Sequence, residues 1–233
     1  AAALMRRYHV PLRRLLPLPT ALHGLYFDAA RHHVLNTALF VPYFAMPIIA
    51  NVVIGSQQAA YFYAAWSIAS FVFFLPMALS TALFASGARD SSTFLMEFRK
   101  TLRYSLLACT ATNLAMLVLA GPVLRIFGSS YAANGRTALI VLCLGGLGLV
   151  IKDHHVTLAR VNDDVGREAL LVGALSVLEV GAAAVGAARG GLTGLALGWL
   201  AAVGVGVVVY GPRVWRAYHD RVEVAPRRTG AER

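Results

Sequence analysis

The chain is dominated by long stretches without a single charged side chain, and that feature limits its fold more than any other. Val34 to Gly55, Ala59 to Ser86, Tyr104 to Leu124 and Gly190 to Gly211 carry no charge, and Ala169 to Ala188 carries only Glu179. A hydrocarbon layer about 30 Å thick is crossed by roughly 20 apolar helical residues, so each of these tracts is long enough to span a membrane. A further tract, Thr137 to Ile151, covers only about 22 Å at a rise of 1.5 Å per residue. It reaches across only if its helix continues through Lys152, Asp153, His154 and His155 to about Ala159. None of the tracts alternates polar and apolar residues as a barrel strand does, and lipid cannot satisfy an open sheet edge. The expectation is an all-α integral membrane protein with six transmembrane helices near 34–55, 59–86, 104–124, 137–159, 169–188 and 190–211.

Composition excludes the soluble alternatives. Hydrophobic residues make up 58% of the 233 residues and charged residues 14%, against about a quarter charged in a soluble domain. A water-soluble fold could not cover so much apolar surface with so few polar groups. Two cysteines do not make a disulfide-stapled fold. With Cys109 and Cys143 each a quarter of the way into antiparallel neighbours, they are expected at opposite depths, as packed thiols rather than a bridge.

Charge also sets the expected orientation. Of the 21 Lys and Arg, only Arg125, Arg136 and Arg189 fall in connections on one side of the six spans. The others lie before the first span, between the second and third, around the end of the fourth, and in the tail. Positive charge stays in the cytoplasm, so both termini are expected there, in a multi-pass protein of the plasma membrane. The formal net charge of +10 is then accounted for by topology and attraction to anionic lipid, with no nucleic-acid partner. Tyr61, Phe62 and Tyr63 are expected at one interface, and Tyr210, Trp215 and Tyr218 at the other.

The ends organise the rest. Residues 1–33 read as a basic cytoplasmic or interfacial connector joined to an upstream part of a longer product, since Leu15 to Leu22 is too short and too proline-interrupted for a signal peptide. Residues 34–212 form the transmembrane bundle, and 213–233 a basic cytoplasmic tail, disordered from about 219.

Within the spans, a few residues stand out. Pro42 and Pro47 in the first span and Pro76 in the second each remove a helix hydrogen bond and permit a kink, as in helices that line a transport path. Pro122 lies near the end of the third. Glu179 sits at mid-span, where an ionised carboxylate costs a few kcal/mol or more. It is either a coupling or substrate-contacting acid, or a protonated one bonded to a neighbouring helix. Lys152, Asp153 and His154, with His155, either line the inner mouth of a cavity or mark a helix that ends early and snorkels. Asn51 and Asn113 are further polar groups inside spans, candidates for ligand contact or for hydrogen bonds between helices. Gly190, Gly194 and Gly198 recur every four residues, opposite Gly181 and Gly186, which reads as close packing across a short Arg189-Gly190-Gly191 hairpin. No phosphate loop, Ser/His/Asp set or metal-ligand spacing is present, so no enzymatic activity, metal or cofactor is expected.

The stretch from Tyr61 to Asp90, YFYAAWSIASFVFFLPMALSTALFASGARD, resembles the eighth helix and following cytoplasmic loop of bacterial polysaccharide flippases. These belong to the multidrug/oligosaccharidyl-lipid/polysaccharide exporter superfamily, whose transporters are MATE-like. The later stretch GPVLRIFGSSYAANGRTALIVL is similar to the ninth-to-tenth connection of the same family. With the matching order of spans, the resemblance covers about residues 31 to 212. It implies one six-helix bundle of a two-bundle transporter, the C-terminal half, facing an N-terminal six-helix half or a second copy. It further implies flipping of a lipid-linked oligosaccharide or polysaccharide precursor for cell-envelope biosynthesis. A cation-coupled multidrug antiporter of the same superfamily is the alternative; the lack of a second mid-membrane acid beside Glu179 counts against it. A membrane scaffold subunit that transports nothing is a third reading.

Overall fold

A computed structural model describes residues 19–87 and 93–219. They form helices throughout: α1 (Pro19–Ile49), α2 (Ser56–Gly87), α3 (Phe94–Arg125), α4 (Ser129–Val161) and α5 (Val165–His219). Five of these runs are long and apolar enough to cross a membrane. α5 has 55 residues and is not straight. Its backbone leaves helical geometry at Gly190 and Gly191, where Gly191 takes φ +58°, a left-handed conformation that costs glycine little. The chain doubles back there into a first arm (165–189) and a second arm (192–219).

The glycine spacing explains how tightly the two arms close. A Cβ on Gly186 would overlap the Gly194 carbonyl, and one on Gly198 would overlap that of Ala182. The expected packing is therefore found at Gly186, Gly194 and Gly198, whereas Gly181 and Gly190 have open space around them. In a lipid surrounding, such close backbone approach supplies the attraction that apolar burial supplies in water.

α4 is the central helix and packs against α2, α3 and α5, while α1 lies mainly on α5. α1 and α2 are joined by a π-helical turn (Ala50–Ile54) that follows Pro47, and by Gly55. They barely touch each other below that joint, and the space between them is the cavity considered below. Large apolar side chains such as Phe71, Val118, Leu170 and Val208 face outward.

All the helices run past their apolar tracts. α1 starts at Pro19, inside the segment expected as a connector, and α5 continues through Arg213 to His219, inside the expected tail. Residues 1–18 of that connector and 220–233 of that tail lie outside the described residues. α4 does not end early at its polar run but continues to Val161. Longer helices also shift the thiols: Cys109 and Cys143 lie near mid-length of α3 and α4 at one level, not at opposite depths. Asn113 Nδ2 donates to the carbonyls of both, at 2.8 and 3.1 Å, and both thiols are free and buried. The two aromatic belts divide in the same way. Tyr63 and Trp215 are exposed, but Phe62 and Tyr210 are buried in the packing.

Among the described residues, several arginines meet at one end of the helices. Arg31 approaches Gly166 there, Arg103 Nε donates to Tyr218 Oη at 2.6 Å, Arg160 Nη2 to Asn36 Oδ1 at 2.7 Å, and Arg213 lies 3.4 Å from Asp164. At the other end Tyr61 meets Tyr131 edge-on and Gly191 approaches Gln58. Among the described residues, Arg31, Arg103, Arg160 and Arg213 thus cluster at one end of the packed helices.

Candidate functional site

Between α1 and α2, floored by α4 and α5, lies a cavity of about 380 Å³. That is within the roughly 300–1,000 Å³ of small-molecule sites. α1 supplies Asn36, Phe40, Pro42 and Tyr43, and α2 supplies Trp66, Ser70, Phe73 and Thr81. The floor is one strip of α4 that includes Lys152, Asp153, Val156 and Arg160, with Glu179 and Trp199 reaching in from the two arms of α5.

The strip follows from helical spacing. Positions 149, 152/153, 156 and 160 fall on one face, so the charges of Lys152, Asp153 and Arg160 share a wall. Lys152 and Glu179 are 27 positions apart, and the stretch between them includes the turn from α4 into α5, which sets the two side chains against each other. Lys152 Nζ donates to Glu179 Oε1 at 2.8 Å, with the side chains only 7% and 6% exposed. The second carboxylate oxygen accepts from Trp199 Nε1 at 3.1 Å. Of the two readings of Glu179, the contact to a neighbouring helix is present, and its partner is a lysine.

Trp199 is held in turn. Its ring lies where a Cβ on Gly145 would be, and it meets Trp66 edge-on at 5.5 Å and Phe73 at 5.7 Å. Tyr43 extends this aromatic wall to α1 at 5.7 Å from Trp66. The result is a mid-bundle ion pair beside an aromatic surface, open to one cavity.

The structure thus gathers Lys152, Asp153, Glu179 and Pro42 at the cavity and leaves the other flagged residues elsewhere. His154 faces away, towards α2 and α3. Its Nδ1 lies 2.8 Å from the Val150 carbonyl and 3.4 Å from Ser80 Oγ, its Nε2 lies 3.3 Å from Thr101 Oγ1, and Phe98 packs on it edge-on. Asn113 ties α3 to α4, the packing role open to it from the sequence. Asn51 is exposed in the π-helical turn. Pro47 and Pro76 are within helices and do not line the cavity.

His155 belongs to a separate cluster near the basic end. Its Nε2 is 2.8 Å from Glu168 Oε1, at ion-pair distance but without hydrogen-bond alignment, and its ring lies over that of Tyr210 at 4.6 Å. Arg213 approaches Glu168 at 3.6 Å and Asp164 at 3.4 Å. Among the described residues no group of three metal-ligating side chains occurs.

Several residues of the site were not singled out from the sequence: Trp199, Gly145, Trp66, Phe73, Tyr43 and Arg160. The usable signal was Trp199 itself, an indole in the middle of a charge-free span with a donor that needs a partner when buried. Comparison of the chain with protein-family models, with curated proteins and with solved structures finds no match.

Proposed function

We propose that this chain is the C-terminal six-span bundle of a membrane transporter that flips a lipid-linked oligosaccharide or polysaccharide precursor across the plasma membrane. The two arms of α5 count as separate spans in this reading, both termini are cytoplasmic, and the basic end meets anionic lipid. An N-terminal six-helix half or a second copy closes the path from the other side.

The observation that carries the proposal is the cavity whose floor bears the Lys152–Glu179 pair. A glycan head cannot enter hydrocarbon because its hydroxyls would lose their water partners, at several kcal/mol each in the worst case. A cavity with charged groups on α4 and α5, hydroxyls among the aromatic rings of α2, and an amide beside the rings of α1 offers replacement partners, while the lipid tail stays in the bilayer. Pro42 and the joint after Pro47 give α1 a place to bend relative to α2.

The test is genetic. Deleting the gene should abolish surface polysaccharide and leave its lipid-linked precursor in the membrane. Complementation with Lys152→Ala or Glu179→Ala in the full-length protein should restore export poorly. Normal export with both variants refutes this site.

One observation favours the second reading, the cation-coupled antiporter: Asp153 faces the same cavity as Glu179, so the site has a second acid after all. Normal surface glycan with drug hypersensitivity in the deletion strain would select that reading.

A further inference from the structure

Both carboxylate oxygens of Glu179 are engaged, one by Lys152 and the other by Trp199. Lys152 differs. An ammonium has three donors, and Glu179 is the hydrogen-bond acceptor found for it. A polar ligand in the cavity therefore meets Lys152 as a cation with bonding capacity to spare, beside Trp66 Nε1 and Arg160 Nε, which have no hydrogen-bond partner among the described residues. Arg160, the other cation of the wall, already holds Asn36 and interacts with the charge of Asp153. The wall as a whole has two cations and two acids.

An anion that pairs with Lys152 leaves one cation facing two anions, so the charge of Glu179 is no longer balanced. In surroundings of low dielectric a carboxylate that must share its cation takes up a proton rather than remain charged. We propose that Lys152 and Glu179 couple the binding of a singly charged anionic group to the uptake of one proton, the anion pairing with Lys152 and the proton going onto Glu179. An O–H bond forms on the carboxylate as an O–H bond of a hydronium ion breaks and leaves water, and no bond of the ligand changes. The empty site is a cation and an anion. The loaded site is a cation, the ligand anion and a neutral acid. Its net charge is the same in both, so the loaded bundle reorients without carrying added charge through hydrocarbon. This deepens the transport reading and rests on it for the cavity being the substrate site.

Other charged and titratable groups lie on the elements packed around Glu179. They are Asp153, His155 and Arg160 on α4, Glu168 on its own arm, and Tyr210 and Arg213 on the second arm, with Tyr210 in electrostatic contact with both Glu179 and Glu168. α1 brings Tyr43 to the cavity and α2 brings no titratable side chain to its wall. Variants must therefore separate Glu179 from these neighbours.

The test is calorimetric titration of the purified full chain in detergent with dihexyl phosphate and dimethyl phosphate, diesters that keep a single charge across the neutral pH range. Two buffers of different ionisation enthalpy give the protons exchanged. The expected result is uptake approaching one proton per dihexyl phosphate, with affinity falling about tenfold per pH unit at the alkaline end. Glu179→Gln should bind with no proton uptake, while Asp153→Asn and His155→Gln keep it and Lys152→Gln loses binding. Tighter binding of the dihexyl than of the dimethyl ester marks a lipid headgroup site; equal binding marks a site for free phosphate, and the coupling stands in both cases. Absence of binding, binding without proton uptake by the unmodified chain, or uptake that survives in Glu179→Gln overturns the proposal. If the coupling is found but Lys152 variants export glycan normally, it is the transport reading that fails.

Discussion

Replacing Lys152 with Met should be among the most damaging single changes in the bundle, and the structure gives its size. The ammonium is removed from a carboxylate 2.8 Å away whose side chain is 6% exposed. Breaking a buried pair by deleting one partner costs about 3–5 kcal/mol, because the survivor must either stay charged in a poor solvent or take up a proton to become neutral. The Trp199 N–H still faces Glu179 but carries no charge to compensate it. Adding Glu179→Gln should recover most of that loss, since the amide keeps an acceptor for Trp199 and needs no counter-ion. The contrast within the same molecule is Arg213 with Asp164, a pair 30% and 37% exposed at 3.4 Å. Pairs so accessible contribute about 0–1 kcal/mol, so Asp164→Asn should be nearly silent. Unfolding in mixed micelles of increasing denaturing-detergent fraction, followed by tryptophan fluorescence, measures all of these. A cost below about 1 kcal/mol for Lys152→Met, or a double variant no better than the single, would refute the reasoning.

Other expectations follow from the packing. Gly145→Ala places a methyl in the Trp199 ring and should cost about 1–3 kcal/mol. Gly181→Ala, with nothing within 4 Å, should be close to neutral in the same unfolding assay. Gly186→Ala forces the two arms of α5 apart at the Gly194 carbonyl, and a lower unfolding midpoint than for Gly181→Ala would show it. Cys109 and Cys143 should resist maleimide in the folded protein and react fully after denaturation, with no disulfide on a non-reducing gel.

What the sequence made legible, and what it hid, have physical causes. Charge-free tracts located the helices because an apolar run of that length without alternation satisfies its backbone as a helix, but not their ends. The turns carrying Arg99, Lys152 and Arg213 stay helical because charged side chains on a helix find water or each other. Lys152 and Glu179 each stood out as costly groups in a span. Their pairing depends on the register of α4 against α5, which no local pattern encodes. His154 shared attention with Lys152 because it is two positions away. At 100° per residue that separation turns it through about 200°, behind the cavity wall, where it meets Thr101 and the back of Ser80. The four-residue glycine repeat was readable because close helix contact needs small residues at that period. Which glycines met a neighbour depended on the hairpin at Gly191, so Gly186 packs and Gly181 does not.

The central claim is that a lipid-linked glycan occupies the cavity between α1 and α2. The most direct measurement is site-specific photocrosslinking in cells that synthesise the glycan. A photoreactive amino acid replaces Phe40 or Phe74, which line the cavity, or Val118, which faces outward from α3. Irradiation is predicted to attach glycan, detected by its antibody on the purified protein, at Phe40 and Phe74 and not at Val118. Adducts that are absent from both cavity positions, or equally abundant at Val118, would contradict the account.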